Sequence, residues 1–176
     1  MEIQLAHCTI RSLRPSDAAA IVQHIGTPRV ARNMSAIPHP YSVEHADEWI
    51  VSASRRQPET HFGITLQDEV VGGIGVEIGD PGKLAVSAHC GEIGYWLGES
   101  FWGRGIMSEA VVAVTEWAFD ELRLARIQAA VYARNPASAR VLEKGGYALE
   151  GRLRARYFRD GEFIDGLLYA KLRLPS

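Results

Sequence analysis

The residues from Glu92 to Ala110 read Glu-Ile-Gly-Tyr-Trp-Leu-Gly-Glu-Ser-Phe-Trp-Gly-Arg-Gly-Ile-Met-Ser-Glu-Ala. The run begins like a strand, passes through a loop with glycines at 103 and 105, and ends in a helical pattern. Glycine at those places lets the backbone take positive φ and lets a ligand come close. The first turn of the following helix has N–H groups without partners, and the positive end of the helix dipole lies there. Strand, glycine loop and helix N-terminus together make a site for an anion such as a phosphate or pyrophosphate. The same glycines would also serve a turn that binds nothing. A dinucleotide fingerprint fits less well. Gly103-Arg104-Gly105-Ile106-Met107-Ser108 lacks the third glycine, and the strand before it follows a meander rather than opening a βαβ unit.

Two more runs carry groups suited to chemistry. Asn135-Pro-Ala-Ser-Ala-Arg-Val-Leu-Glu-Lys-Gly-Gly-Tyr147 offers Asn135 as a helix N-cap and Ser138 at the third helical position. Arg159-Asp-Gly-Glu-Phe-Ile-Asp165 holds the turn Arg159-Asp160-Gly161-Glu162 and the start of the strand after it. Glu92 is the strand-borne carboxylate best placed to accept a proton, and its alternative role is a solvated or paired surface group. Alternation would put Arg152, Arg154 and Arg156 on one strand face near Arg159. That cluster suits an acidic substrate, or a solvated face balanced by Glu150, Asp160 and Glu162. The six histidines are scattered, with no His-Glu-x-x-His and no Cys/His cluster, so no metal is expected.

These groups need elements to hold them. Thr9–Arg14 alternates as a strand, and Pro15-Ser16-Asp17 opens a helix that Gly26 stops. Residues 27–41 read as irregular, and His39-Pro40-Tyr41 suits a substrate-facing loop. Ser42 caps a second helix that runs to about Arg56. His61–Leu66 and Val70–Ile78 are strands about the turn Gln67-Asp68-Glu69. After a loop at residues 79–82, Ala85–Leu97 holds another strand. A helix from about Gly105 to Leu122 carries a stripe of Ile106, Ala110, Val114, Ala118 and Leu122, widened by Val111 and Trp117. Arg126–Ala133 is a strand, Asn135-Pro136 opens a helix, and Gly145-Gly146 ends it. Tyr147–Tyr157 and Phe163–Leu172 complete the order β-α-α-β-β-β-α-β-α-β-β, a mixed sheet with helices on its faces.

Composition sets the outer bounds. At 176 residues, 47% hydrophobic and 23% charged, the chain is sized for one globular domain over residues 1–176. A net charge of -2 gives no reason to expect nucleic acid. No apolar run approaches the roughly 20 residues that span a bilayer, and Met1-Glu2-Ile3-Gln4 does not begin a signal peptide. Cys8 and Cys90 read as two buried thiols in a reducing cytoplasm.

Taken in order and spacing, these runs resemble the GNAT (Gcn5-related N-acetyltransferase) superfamily, and most of all its RimJ/RimL-type branch. The resemblance extends from about Thr9 to Arg173. Its most specific part is Tyr95-Trp96-Leu97 through Phe101–Met107, with Asn135, Ser138 and Gly146-Tyr147. It implies an α+β GNAT fold: a central, mostly antiparallel sheet of six to seven strands, splayed in the middle, with about four helices on its faces. It also implies acetyl-CoA as co-substrate and direct acetyl transfer to an amine. That amine is a protein N-terminus or a small molecule. Neither nucleic acid nor a membrane is implied, and family members often dimerise, which leaves a homodimer open. Cofactor contacts fall on Tyr95, Trp96, Leu97, Trp102, Gly103, Arg104, Gly105, Ile106, Met107, Asn135 and Ser138.

In the family's loop pattern, (Gln/Arg)-x-x-Gly-x-(Gly/Ala), Trp102 stands at the first place, Gly105 is the central glycine and Met107 stands last. No side-chain cation is supplied at Trp102, so backbone N–H groups carry most of the anion binding, with Arg104 beside them. The resemblance makes the Leu97 N–H an oxyanion donor. It makes Ser138 the donor to the leaving sulfur, since no Tyr lies between Asn135 and Gly146. Glu92 is the candidate base, one residue off the place some members use. An α-amine is already about a tenth neutral at pH 7, whereas a lysine amine is neutral only about 0.04% of the time. An α-amine therefore needs less of a base. A non-catalytic acyl-CoA-binding module and a nucleotide-binding protein are the competing readings of the same loop.

Overall fold

In the computed structural model, residues 1–34, 37–38, 40–79 and 88–173 are described. Among these residues, eight strands and five α-helices follow one another. They are β1 (Glu2–Gln4), β2 (Thr9–Arg11), α1 (Ala18–Ile25), α2 (Pro28–Ala31), α3 (Val43–Arg55), β3 (His61–Leu66), β4 (Glu69–Ile78) and β5 (Cys90–Leu97). Then come α4 (Ile106–Glu121), β6 (Arg126–Tyr132), α5 (Pro136–Lys144), β7 (Ala148–Arg159) and β8 (Glu162–Leu172). The architecture is mixed α+β, as the sequence implies. The elements beyond the expected count are short: β1 has three residues and α2 four. Three or four residues are too few to show a period.

The chain divides into two compact units. The first holds residues 1–75 and 95–110. Its strand order is β1-β2-β3-β4 with the end of β5 beside β4, and the first three pairings are antiparallel. α1 and α3 bury Ile21, Ile25, Ala46, Ile50 and Ala53 against Val70 and Trp96. The glycines of β4 make room for rings. A Cβ on Gly73 would stand 2.5 Å from the Trp96 indole nitrogen and 2.6 Å from Trp49. Those two indoles meet edge to face with centroids 6.3 Å apart.

Strand β2 is shorter than the expected Thr9–Arg14. The Arg14 N–H donates to Asp17 Oδ2 at 2.7 Å, and a single 3-10 turn at Pro15–Asp17 precedes α1. The same carboxylate takes both ends of the buried Arg11 guanidinium, at 2.9 and 3.0 Å. This polar clasp turns the chain out of the ladder after Arg11.

The second unit holds the described parts of 76–94 and 111–176. Its strand order is β5-β6-β8-β7, with the end of β4 beside β5. β5 and β6 are parallel, and the other pairs described in this unit are antiparallel. Val111, Val114, Ala118 and Phe119 of α4 are buried, as are Ile127, Leu142 and Tyr169. Phe119, not the half-buried Trp117, widens the apolar stripe, and Leu122 lies past the helix end. Cys90 is half-buried rather than buried, and both thiols are free. The expected loop at 79–82 and the expected strand start at Ala85 fall largely outside the described residues; β5 itself begins at Cys90. His39 also lies outside them.

Candidate functional site

In the first unit, β5 ends at Leu97 and a 3-10 turn, Glu99–Phe101, carries the chain to the glycine loop. The indole of Trp102 donates to the Leu97 carbonyl at 2.7 Å. Gly103 has φ +76 and Gly105 φ +83, values that side-chain-bearing residues rarely adopt. A Cβ built on either would meet nothing within 4 Å. The loop therefore presents bare backbone to open space, which is the cradle a pyrophosphate needs.

Helix α4 starts at Ile106, and Glu109 N–H donates to the Gly105 carbonyl at 3.1 Å as the first turn closes. The N–H groups of Ile106, Met107 and Ser108 precede that bond and face out of the helix end. Ile106 and Met107 have buried side chains that anchor the turn.

Charge reaches this loop from an element the sequence did not single out. Arg29, on the one-turn helix α2, sits over the Trp102 ring at 5.5 Å and pairs with Glu99. Arg104 lies over the Phe101 ring at 5.4 Å. Trp102 thus carries no charge of its own but holds a cation on its face. Only the tertiary contact reveals Arg29, since Thr27-Pro28-Arg29 has no loop motif of its own.

Of the expected site residues, Tyr95, Trp96, Leu97, Trp102, Gly103, Arg104, Gly105, Ile106 and Met107 all fall in this unit. Trp96 is buried against Trp49, and Leu97 is buried beside Gly72. Glu92, Asn135 and Ser138 belong to the second unit.

There, the parallel ladder of β5 and β6 covers Cys90↔Arg126, Gly91↔Ile127 and Glu92↔Gln128 and then stops. β6 continues to Tyr132, paired among the described residues only on its β8 side. The Ala133 N–H donates toward β8, to the Asp165 carbonyl at 2.9 Å. Alternate residues point the other way, so the backbone of Ala130 and Tyr132 faces the edge that β5 leaves. The Tyr157 hydroxyl donates to that Ala130 carbonyl at 3.0 Å.

Tyr157 reaches it from β7, two strand spacings or roughly 10 Å away. A bulge makes this reach possible. The register of β7 on β8 shifts between Leu153 and Tyr157, and Ala155 has φ +50. Asp165 holds the bulge, accepting from Ala155 N–H and from Arg152 Nε, each at 2.8 Å. Those two bonds hold its carboxyl below the usual carboxylate range.

The bulge overturns the expectation that Arg152, Arg154 and Arg156 share a face by simple alternation. Of the expected balancing acids, Asp160 pairs with Arg159 at 3.7 Å, while the others pair elsewhere. Glu150 pairs with Arg126, Glu162 with Arg134, and Asp165 with Arg152. Arg154 and Arg156 have no ion pair among the described residues.

Asn135 caps α5, its side chain accepting from Ser138 N–H at 3.2 Å, with Pro136 in the first turn. The cap uses the backbone N–H of Ser138. Glu92 is exposed on β5. Its negative charge helps to raise the Tyr157 phenol, after burial as the main cause and against the nearby Arg156. Tyr147 bonds Thr115 at 2.7 Å inside the core and is a structural residue. Among the described residues, no three metal-ligating side chains cluster, and no helix is long and apolar enough to cross a membrane.

Comparison with known proteins fits this geometry. Residues 7–148 match the family model described as an acetyltransferase (GNAT) domain. The chain is 30% identical over 169 residues to an N-acetyltransferase of Bacillus licheniformis, p20, covering 94% of this chain and 92% of that one. It is 35% identical over 112 residues to the ribosomal-protein-serine acetyltransferase of Escherichia coli, covering 63% of this chain and 59% of that one. The fold matches RimL, a ribosomal L7/L12 alpha-N-protein acetyltransferase solved with coenzyme A. The TM-score is 0.83 at 22% identity, over 98% of both chains.

Proposed function

The chain belongs to the GNAT acetyltransferase family, and from that premise we propose that it acetylates an α-amine, that of a protein N-terminus or a small amino compound, in a ternary complex with acetyl-CoA. The observation that carries this reading is the open glycine loop at the start of α4. The relatives named for ribosomal proteins, one of them for an alpha-N terminus, support the α-amine. The family match spans residues of both units, which supports one acetyltransferase domain over residues 1–176.

Acetyl-CoA, when bound, supplies an activated thioester. The backbone of Gly103 and Gly105 and the N–H groups of Ile106, Met107 and Ser108 bind its pyrophosphate, with Arg104 and Arg29 supplying charge. By the family resemblance, Tyr95, Trp96 and Asn135 would be the contacts to the pantetheine arm. The Leu97 N–H stabilises the developing oxyanion, a contribution typically worth about 3–4 kcal/mol. Glu92 takes the proton that the amine loses as its nitrogen bonds the acyl carbon. Ser138 hydrogen-bonds the sulfur as the carbon–sulfur bond breaks.

The reading includes a cytoplasmic location, supported by the two free thiols, and a homodimer. The tilted and exposed Phe158–Phe163 ring pair supports the dimer.

The test has two steps. Coenzyme A should raise the melting temperature while ATP and NAD leave it unchanged. Acetyl-CoA with α-amine peptides or free amino acids should then release thiol. Stabilisation by coenzyme A without thiol release on any amine would reduce the protein to an acyl-CoA-binding module.

A further inference from the structure

Tyr132 stands at the end of β6 with a relative exposure of 4%, and its hydroxyl is buried without a hydrogen-bond partner among the described residues. A buried polar group left unpaired costs about 1–3 kcal/mol, so its retention calls for a reason.

Its surroundings narrow that reason. The Tyr157 ring meets the Tyr132 ring edge on, with centroids 4.7 Å apart. The Arg134 guanidinium lies 5.5 Å from the ring centroid. Gly166 is the register partner of Tyr132 on β8, and a Cβ there would meet Tyr157 at 3.1 Å and Arg156 at 3.3 Å. The bulged segment of β7 therefore lies over this spot, and its Arg156 is exposed and without an ion pair among the described residues.

Guanidinium groups only donate hydrogen bonds, and the Tyr157 hydroxyl, aimed at the Ala130 carbonyl, makes no bond to Tyr132. What the Tyr132 O–H lacks is an acceptor oxygen. Tyr132 also shares its β6 face with Gln128, whose parallel partner is Glu92. The orphan donor thus lies on the face of the candidate base.

We propose that the Tyr132 hydroxyl is a specificity-determining contact to the acceptor, donating to the carbonyl oxygen that adjoins the amine. The inference rests on the α-amine reading above and deepens it. A peptide N-terminus or an amino acid carries such a carbonyl; a polyamine or a lysine side chain does not. The acceptor reaches the hydroxyl as the Arg156 side chain turns outward, and the carbonyl oxygen takes the bond that the fold leaves open.

The test compares wild type with Tyr132→Phe, using tetraalanine amide and isopropylamine as acceptors. Thiol release is measured for both, and tetraalanine amide binding to the coenzyme A-loaded protein is measured by calorimetry. The variant should raise KM and Kd for tetraalanine amide about tenfold. It should leave kcat/KM for isopropylamine and the coenzyme A affinity unchanged. Its melting temperature should hold or rise, since the group removed has no bond to lose. An unchanged Kd, an equal loss on both acceptors, a loss of coenzyme A affinity or a fall in melting temperature each overturns the contact. So does a wild-type protein that binds neither acceptor. Wild type that binds tetraalanine amide but releases no thiol sinks the transferase reading alone, and the Kd comparison still decides the contact.

Discussion

The indole N–H of Trp102 donates to the carbonyl of Leu97 across 2.7 Å. This bond joins the end of β5 to the start of the glycine loop. The family pattern places a polar or charged side chain where this tryptophan stands. The cation comes instead from Arg29, seated on the outer face of the indole. One residue thus closes the loop and carries a borrowed charge.

Trp102→Phe keeps a ring for Arg29 but removes the N–H donor. A net hydrogen bond of this kind is worth about 1 kcal/mol, so the variant should lose about that much stability. Its KM for acetyl-CoA should rise several-fold while the acceptor KM stays put. Steady-state kinetics with each substrate varied in turn checks the split; an unchanged acetyl-CoA KM removes the loop-closing role.

Gly105→Val acts on backbone shape. At φ +83 a β-branched residue is strained by at least 1–2 kcal/mol, in round figures. The added side chain also fills the open space before the α4 N–H groups. Affinity for coenzyme A should fall by more than tenfold, read by calorimetry. Wild-type affinity in this variant would show that no phosphate lies against the loop.

Ser138→Ala separates two roles cleanly. The α5 cap is the bond from Ser138 N–H to Asn135 Oδ1, which alanine retains. That cap bond should persist, while kcat should fall about ten- to a thousandfold through loss of the sulfur's hydrogen bond. Full kcat with normal melting would confine Ser138 to its helix.

Alkaline pH should unfold this protein early. Burial, aided by Glu109, pushes the Cys8 thiol from 9.0 up to about 11. Burial pushes the Tyr147 phenol from 10.0 up to about 12, against the Thr115 bond that lowers it and with Glu116 adding. Both groups are neutral when protonated. Above pH 9 the unfolded chain sheds these protons before the folded chain does, so stability falls as pH rises from about 9 to 12. Melting curves across that window should show the decline, with a shallower lower part in Cys8→Ala. Equal slopes in wild type and variant would remove Cys8 from the account.

Much of this was legible in the chain. Gly26, Ser42, Asn135-Pro136 and Gly145-Gly146 mark helix ends that the structure keeps, because caps act over three or four residues of sequence. Asp68, Asp160 and Gly161 take the positive φ values that turn residues of their types suit. The glycine loop was legible for the same local reason. What escaped were relations across strands. Nothing near Arg29 in sequence points to Trp102. Nothing near Tyr157 tells that a bulge held by Asp165 will carry its hydroxyl over β8 to Ala130. Tyr132 looks like an ordinary strand residue until its neighbours are known to be cations and a phenol already engaged. The alternation of arginines failed at the same bulge, since a period of two assumes an unbroken ladder.

The bond from Tyr157 to Ala130 has a mechanical side. A sheet usually yields strand by strand from its edge, because each strand is fastened only to its neighbour. Here the outermost strand is tied to the third one in, over the top of the second. β7 cannot peel away without releasing a carbonyl on β6, so fraying at the hairpin is coupled to opening at β6 beyond Gln128, where its ladder with β5 has ended. The local unfolding unit is the three-stranded ribbon, not the hairpin. In amide exchange, the protons of β6, β7 and β8 should share one opening free energy.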